Sequence, residues 1–176
     1  SRQSGKTETL ANVVSSLMVL LPILSEMYPR WLNKFRRGFW VGCFAPIESQ
    51  VETLFGRIVD RLTSEHALEI LEDSEINDSP KGGGARFLRL RRSGSFVRMQ
   101  TANPRAKIES KSYHFMVLDE AQGIDEYVIG KSIEPMGSFY LATMVMIGTP
   151  DVVKGAFYKT IQCNKRMMTR KGAKKN

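Results

Sequence analysis

Three stretches of the sequence carry side chains that together can bind and hydrolyse a nucleoside triphosphate. The first is Ser1-Arg2-Gln3-Ser4-Gly5-Lys6-Thr7, whose last three residues match the end of a phosphate-binding loop. Gly5 would let the backbone turn close to the phosphates, the Lys6 ammonium would reach the β- and γ-oxygens, and the Thr7 hydroxyl would bind Mg²⁺. A helix beginning at Lys6 would direct its positive end at the same phosphates. Gly-Lys-Thr alone also occurs by chance, since the first glycine of the usual pattern would fall before Ser1.

The other two stretches are apolar runs that end in polar residues, as buried parallel strands do where they deliver side chains to a sheet edge. Phe115–Leu118 is followed by Asp119 and Glu120. Asp119 would hold Mg²⁺ through water, and Glu120 would polarise the attacking water. Residues 144–147 are followed by Gly-Thr-Pro, which would place the Thr149 hydroxyl near the γ-phosphate. Each run is also compatible with a plain core strand and a solvated loop. The phosphate-binding loop followed by these two strand ends, in this order, favours a nucleotide site.

With these residues the chain resembles a known family, the large terminase subunit of tailed bacteriophages, an ATPase that drives DNA into a preformed capsid. The resemblance covers nearly the whole chain. It rests on four motifs, namely the loop 1–7, Phe44-Ala45-Pro46 with Gln50 after it, Leu118-Asp119-Glu120-Ala121-Gln122, and Ile147-Gly148-Thr149-Pro150. The Arg-Gln before Ser-Gly-Lys-Thr is its most specific feature, because the terminase loop typically carries an arginine that is thought to act on the γ-phosphate.

The resemblance implies a role for each motif. ATP and Mg²⁺ would be the cofactors, and the ATP phosphates would be bound by Ser1, Arg2, Gln3, Ser4, Gly5, Lys6 and Thr7. Glu120, Arg2 and Lys6 would be catalytic, and Thr7 and Asp119 would be the Mg²⁺ ligands. Thr149 would sense the γ-phosphate or couple hydrolysis to movement. No covalent nucleophile is needed, because phosphoryl transfer to water depends mostly on positioning and charge neutralisation.

The resemblance also implies partners and a location. The partners would be double-stranded DNA, a portal protein and a small terminase subunit, and the chain would assemble into a homo-oligomeric ring. It would act in the cytoplasm of the infected bacterial host, transiently at the portal of the procapsid, with no membrane partner. Whole family members also carry a nuclease domain, but nothing here resembles its acidic metal-binding cluster. DNA cleavage is therefore not predicted for this chain.

Two other functions stay open at this point. The sequence Asp-Glu-Ala-Gln at residues 119–122 is close to the acidic box of superfamily-2 helicases, which are DNA-dependent ATPases. Such helicases usually carry Ser-Ala-Thr where this chain has Gly-Thr-Pro. The third possibility is a nucleotide-regulated DNA-binding subunit that binds through its positive surface and has no turnover.

The composition indicates one globular domain with a polyanionic partner. The chain has 176 residues, of which 42% are hydrophobic and 25% charged, and its formal net charge is +8. This length is enough for a proper core, and the positive charge favours a polyanion such as DNA. Cys43 and Cys163 are too few for a disulfide framework, and no cluster of Cys and His suggests zinc. Neither His66 nor His114 has a partner at a spacing that suggests a catalytic triad.

The apolar pattern predicts an α/β fold of the P-loop NTPase type, with a mostly parallel sheet flanked by helices and an inserted β-hairpin. Helices are expected over residues 6–21, 46–62, 64–71, 124–133 and 152–161, and strands over 39–44, 87–91, 96–100, 115–118 and 144–147. Pro22 should kink or end the first helix. It also breaks the longest apolar run, 17–24, which is far shorter than the roughly 20 residues of a membrane span. We assign residues 1–163 to a partial ATPase domain and the basic segment 164–176 to a linker or tail.

The predicted hairpin carries the best basic patch inside the fold. Leu88 and Leu90 alternate with Arg89 and Arg91, so one face would pack while the other is cationic. Further basic residues lie nearby in the sequence, namely Lys81, Arg86, Arg92 and Arg98. This face is either a DNA contact or the solvated side of an edge hairpin.

A strand is expected immediately before the phosphate-binding loop. In this class of fold it lies beside the strand that ends at Ile147 and Gly148. Because the chain begins inside the loop, we expect this first strand to be missing from the 176 residues. Each buried backbone group left without a partner costs on the order of 1–3 kcal/mol. The isolated piece should therefore fold poorly and hydrolyse ATP weakly, and an upstream extension should restore both properties.

Overall fold

The structure, a computed structural model, describes residues 5–68, 74–77, 86–104, 111–149 and 154–173. Its α-helices are α1 (Lys6–Met27), α2 (Pro29–Leu32), α3 (Glu48–Leu62), α4 (Glu65–Leu68), α5 (Glu126–Val128), α6 (Glu134–Ser138) and α7 (Ala156–Ala173). Short 3₁₀ turns span Asn33–Phe35 and Ala121–Gly123, and a π-helical turn, Ile129–Ile133, joins α5 to α6. The strands are β1 (Trp40–Ala45), β2 (Ser74–Asn77), β3 (Arg86–Leu90), β4 (Phe96–Thr101), β5 (Phe115–Leu118) and β6 (Thr143–Met146).

One six-stranded sheet organises these elements, in the order β2-β3-β4-β1-β5-β6. β1 pairs in parallel with both β4 and β5, and β5 pairs in parallel with β6. β3 is antiparallel to β4 and to β2. The predicted α/β fold, a mostly parallel sheet flanked by helices with an inserted hairpin, is therefore confirmed.

The hairpin formed by β3 and β4 has the predicted strands, but it is not an edge hairpin. β4 lies between β3 and β1, and the edge is formed by β2, which we did not predict. β2 is short and polar, so its sequence lacks the apolar alternation that marks a half-buried strand. It is held in place by its partner, with Glu75 opposite Arg89. Opposite charges on neighbouring strands stabilise such a pair.

β6 forms the other edge of the sheet. Its residues pair only with β5, for example Val145 with Val117, and no strand among the described residues pairs with its outer side. The strand expected before the phosphate-binding loop is not among the described residues. Its presence in the full-length protein, and its effect on folding, stay predictions.

Helices cover both faces of the sheet, and each face has its own core. On one face α1 and α3 pack against the sheet through buried apolar residues, among them Val14, Met18, Ile58, Leu88 and Val97. On the other face the helical segment from α5 to α6 covers β5, through Val128, Ile129, Ile133, Met116 and Leu118. Apolar residues at helical spacing along α3, namely Val51, Leu54, Phe55, Ile58 and Leu62, are buried. The two cores hold the sheet between helices. Because β1, β5 and β6 are parallel neighbours, the strand ends that carry the polar motifs lie at the same edge of the sheet.

α1 continues past Pro22, so the predicted end of this helix is wrong. Pro22 is buried inside α1, which runs to Met27. Proline has no N–H, so the carbonyl of Met18, four residues earlier, loses its partner within the helix. The Ser95 hydroxyl donates a hydrogen bond to this carbonyl at 2.7 Å and accepts one from the Phe39 N–H at 3.0 Å. A fully buried side chain from the hairpin therefore replaces the donor that proline lacks.

Ser95→Ala should lower the free energy of unfolding by about 2–6 kcal/mol, because two buried backbone groups lose a partner at about 1–3 kcal/mol each. Chemical denaturation of the full-length protein measures this change. In a Pro22→Ala background the restored N–H can reach the Met18 carbonyl, so the same substitution should cost roughly half as much. Ser16→Ala, on the exposed side of α1, is the matched control. An equal cost of Ser95→Ala in both backgrounds would contradict this compensation.

α1 is long and apolar enough to cross a membrane by length and composition alone. Helices buried in a protein core pass the same test. In this fold Ala11, Val14 and Met18 are fully buried in the core that α1 shares with α3 and the sheet. Packing inside the fold therefore accounts for the apolar character of this face.

Two other predicted helices need correction. The helix predicted over 124–133 begins at Glu126 and continues through the π-helical turn and α6 to Ser138. The last helix, predicted to end at 161, continues to Ala173, so most of the segment assigned to a linker or tail is helical. The division between residues 163 and 164 stays a prediction. Residues 69–71 of the predicted helix 64–71 lie outside the described residues.

His114 has a structural role. It lies at the start of β5, is buried, and its Nδ1 accepts a hydrogen bond from the Trp40 N–H at 3.1 Å. Burial, with the nearby positive charge of Lys34 as a second cause, lowers its pKa from 6.5 to about 4. The imidazole is therefore neutral at physiological pH and packs among aromatic rings, including that of Tyr140. The His66 side chain lies outside the described part of the chain.

Candidate nucleotide-binding site

The N-terminus of α1 begins at the predicted end of the phosphate-binding loop. Gly5 precedes the helix with a φ of 67°, a left-handed conformation that glycine adopts without strain. Its carbonyl accepts a hydrogen bond from the Thr9 N–H at 2.8 Å, so Lys6 and Thr7 occupy the first turn of the helix. The rest of the predicted loop, Ser1, Arg2, Gln3 and Ser4, lies outside the described residues.

The predicted acidic pair lies directly after β5. The Asp119 N–H donates to the Phe44 carbonyl of β1 at 2.8 Å, which continues the sheet ladder by one residue. Asp119 is only 7% exposed, and its Oδ1 accepts a hydrogen bond from the Glu120 N–H at 2.9 Å. Burial raises the pKa of the Asp119 carboxyl above its usual value, while this hydrogen bond and the charge of Lys6 act in the opposite direction. Asp119 is thus a desolvated carboxylate with a lysine ammonium in its neighbourhood.

Glu120 has an unusual backbone conformation. Its φ of 46° and ψ of 47° are in the left-handed region, which costs a residue with a side chain about 1–2 kcal/mol. The turn is held by the Gly123 N–H, which donates to the Glu120 carbonyl at 2.8 Å. Strained backbone of this kind persists where surrounding contacts determine it, and it is concentrated at functional sites.

Thr149 follows β6 and meets the start of α1. The Lys6 Nζ donates a hydrogen bond to the Thr149 Oγ1 at 3.4 Å. Next to it the Ala121 N–H donates to the Ile147 carbonyl at 2.8 Å, which ties the acidic turn to the end of β6. The structure therefore brings together residues of all three predicted motifs at the carboxyl edge of the parallel strands.

Gln122 joins two of these motifs, although no role for it was predicted from the sequence. Its Nε2 donates to the Glu120 Oε2 at 2.5 Å, and its Oε1 accepts from the Thr149 N–H at 3.1 Å. The only signal in the sequence was its place at the end of Asp-Glu-Ala-Gln. A pattern in one motif cannot reveal that its last side chain reaches the loop after another strand.

The residues present fit a magnesium nucleotide. Mg²⁺ is usually bound by one or two carboxylates together with phosphate oxygens and water. Asp119 offers a buried carboxylate near Lys6, and Thr7 offers a hydroxyl in the first turn of α1. Among the described residues no group of three or more His, Cys, Asp or Glu side chains could hold a metal by itself. A metal at this position would therefore rely on the nucleotide for part of its coordination.

One arginine of the basic patch predicted on the hairpin is paired with acidic side chains. Lys81 lies outside the described residues, and Arg86 is paired with Glu48, at 3.5 Å, and with Glu52. A separate cationic pocket of about 130 Å³ lies beside β2, β3 and β4. Its lining residues are Glu75, Phe87, Arg89, Phe96, Arg98 and Lys111. The Lys111 Nζ is 5.8 Å from the centre of the Phe96 ring. Arg89 and Arg98 of the hairpin thus line one pocket, and Arg91 and Arg92 are exposed in the turn between β3 and β4.

No protein-family model and no curated protein sequence matches the chain, whereas several solved structures do. A mutant ATPase domain of the large terminase of Thermus phage P74-26 aligns with a TM-score of 0.63 and 24% identity, over 90% of this chain and 60% of that chain. A second structure of the same domain aligns with a TM-score of 0.61 and 24% identity, over 86% and 58%. The large terminase of bacteriophage HK97 aligns with a TM-score of 0.64 and 15% identity, over 97% and 32%.

The chain spans 60% of the length of the first P74-26 domain and 32% of the HK97 protein. At identities below 25% the likeness concerns the fold. The alignments cover 86–97% of this chain, and the resemblance in the motifs also predicted a likeness over nearly its whole length. The chain therefore has the fold of the ATPase domain of phage large terminases.

Proposed function

We propose that this chain is the ATPase motor of a phage DNA-packaging terminase, which couples ATP hydrolysis to the translocation of double-stranded DNA into a capsid. The observation that carries the proposal is the meeting of three motifs at one edge of the sheet, where Lys6 contacts Thr149 close to Asp119. The fold shared with terminase ATPase domains supports it.

In this proposal the ATP phosphates are bound at the N-terminus of α1. The backbone N–H groups of the loop 1–7 would surround the phosphates, and the dipole of α1 favours their negative charge. Lys6 reaches the β- and γ-oxygens. Thr7 and Asp119 would hold Mg²⁺, which supplies charge neutralisation on the phosphates.

Hydrolysis then depends on residues that surround the γ-phosphate. Glu120 orients the attacking water and accepts its proton, and Arg2 stabilises the negative charge that develops on the γ-phosphate. Lys6 would contribute a further positive charge. The hydrogen bond from Lys6 to Thr149 supports a coupling role for the loop after β6, because Lys6 would exchange this partner for phosphate when ATP binds.

The surface proposed to contact DNA is the hairpin face around Arg89, Arg98 and Lys111. Three cationic side chains and one carboxylate, Glu75, line the pocket on this face. Contacts between Lys or Arg and backbone phosphates dominate the affinity of sequence-independent DNA binding. A packaging motor must bind DNA of any sequence, which suits such a surface.

The remaining parts of the proposal come from the terminase resemblance. The partners are a portal protein and a small terminase subunit, and the motor is a homo-oligomeric ring. It acts in the cytoplasm of the infected bacterium and at the procapsid portal. Residues 1–163 belong to the ATPase domain, and residues 164–176 lead out of it.

The test uses the full-length protein with ATP, Mg²⁺, linear double-stranded DNA and empty procapsids that carry a portal. We expect DNA to become resistant to nuclease only when ATP is hydrolysed. Unwinding of a forked duplex without packaging would instead support a helicase. A protein that binds DNA but hydrolyses no ATP, or whose residual hydrolysis is unchanged in Glu120→Gln, would support a regulatory DNA-binding subunit.

A further inference from the structure

We infer that Gln122 is a positioning residue that holds the Glu120 carboxylate and the loop at Thr149 in one arrangement. The carboxylate and the loop would therefore change position together during hydrolysis. This inference rests on the proposed ATPase function and adds a residue to it. Its basis is that one side-chain amide makes two hydrogen bonds to two motifs that are far apart in the sequence.

The two hydrogen bonds determine how the Gln122 amide is oriented. Its Nε2 donates to the Glu120 Oε2, and its Oε1 accepts from the Thr149 N–H. The flipped amide would place an oxygen against the carboxylate and an NH₂ group against the backbone N–H, so both hydrogen bonds would be lost. The side chain therefore fits between its two neighbours in only one orientation.

Gly148 provides the space that Gln122 occupies. A Cβ at position 148 would lie 2.1 Å from the Gln122 Oε1 and 3.1 Å from the Phe157 ring of α7. The oxygen is the far end of a flexible side chain, so a methyl group at 148 would displace Gln122 rather than break the fold. Displacement of the amide would remove both of its hydrogen bonds. Gly148 and Gln122 should therefore act as one functional unit.

The chemical consequence concerns the Glu120 carboxylate. A donor on Oε2 restrains rotation of the carboxylate and leaves Oε1 available for the attacking water. The strained backbone of Glu120 brings its side chain to this donor only two residues along the chain. Without Gln122 the carboxylate can rotate, and misplacement of a reacting group by about 1 Å can cost on the order of 100-fold in rate. Among the described residues no hydrogen bond joins the amide to the phosphate-binding residues Gly5 and Lys6, so ATP affinity should be retained.

The experiment is a double-mutant cycle of Gln122→Ala and Gly148→Ala in the full-length protein. We expect each single variant to lose about 10- to 100-fold in kcat, with ATP affinity within about two-fold of the unchanged protein. Because the methyl group at 148 has no amide to displace once Gln122 is absent, the double variant should lose no more than about two-fold beyond Gln122→Ala. Gln122→Met, which keeps the length of the side chain but lacks both hydrogen bonds, should behave like Gln122→Ala.

Gln162→Ala, a partly exposed glutamine on α7, is the matched control, and thermal unfolding of every variant checks that it is folded. A double variant whose loss equals the product of the two single losses would overturn the inference. An unchanged kcat in Gln122→Ala, or an equal fall in kcat and in ATP affinity, would overturn it as well. Absence of ATP hydrolysis by the unchanged protein would instead overturn the proposed function, which separates the two failures.

Discussion

Glu120→Gln should bind ATP about as tightly as the unchanged protein and hydrolyse it about 100-fold or more slowly, the loss expected when a general base is removed. The glutamine amide has nearly the same shape as the carboxylate, and its oxygen can still accept the hydrogen bond from Gln122. It cannot take a proton from water. Lys6 and the start of α1 are unaffected, so the phosphate site stays intact. ATP binding and phosphate release, measured on the same preparation of full-length protein, test both parts.

Lys6→Ala provides the contrast to Glu120→Gln. It removes the ammonium that reaches the phosphates, so it should weaken ATP binding itself. The two variants therefore separate binding from chemistry. If Glu120→Gln hydrolysed ATP at the normal rate, our assignment of the base would be wrong.

Thr149→Ala should bind ATP nearly normally and fail to package DNA. The substitution removes the hydroxyl that accepts from Lys6 at 3.4 Å, but it keeps the backbone N–H that donates to Gln122. The loop would thus stay attached to the acidic turn and lose only its direct contact with the phosphate-binding lysine. Nucleotide affinity and nuclease-resistant packaged DNA, measured on the same variant, test this prediction.

Thr149→Ser is the control, since it keeps the hydroxyl and should keep packaging. An equal loss of affinity and packaging in Thr149→Ala would point to a plain structural role for the residue. Normal packaging by Thr149→Ala would exclude the hydroxyl from coupling.

The sequence alone predicted the local elements that carry the candidate site. The apolar runs before Asp119 and before Gly148 are strands β5 and β6, and the helix predicted over 46–62 is α3. These features follow from side-chain periodicity over a few residues, which the backbone geometry of a helix or strand determines locally. The start of α1 at Lys6 also follows from a local signal, the glycine that precedes it.

Only the tertiary structure decided which of these elements are neighbours. It placed β4 inside the sheet, added the polar strand β2 at its edge, and paired Arg86 with two glutamates of α3. It also let α1 continue through Pro22, because Ser95, from a distant hairpin, supplies a donor to the Met18 carbonyl. The contacts of Gln122 have the same origin. Each of these features depends on hydrogen bonds or charges between residues far apart in the chain. Such residues become neighbours only once the strands have paired in the sheet.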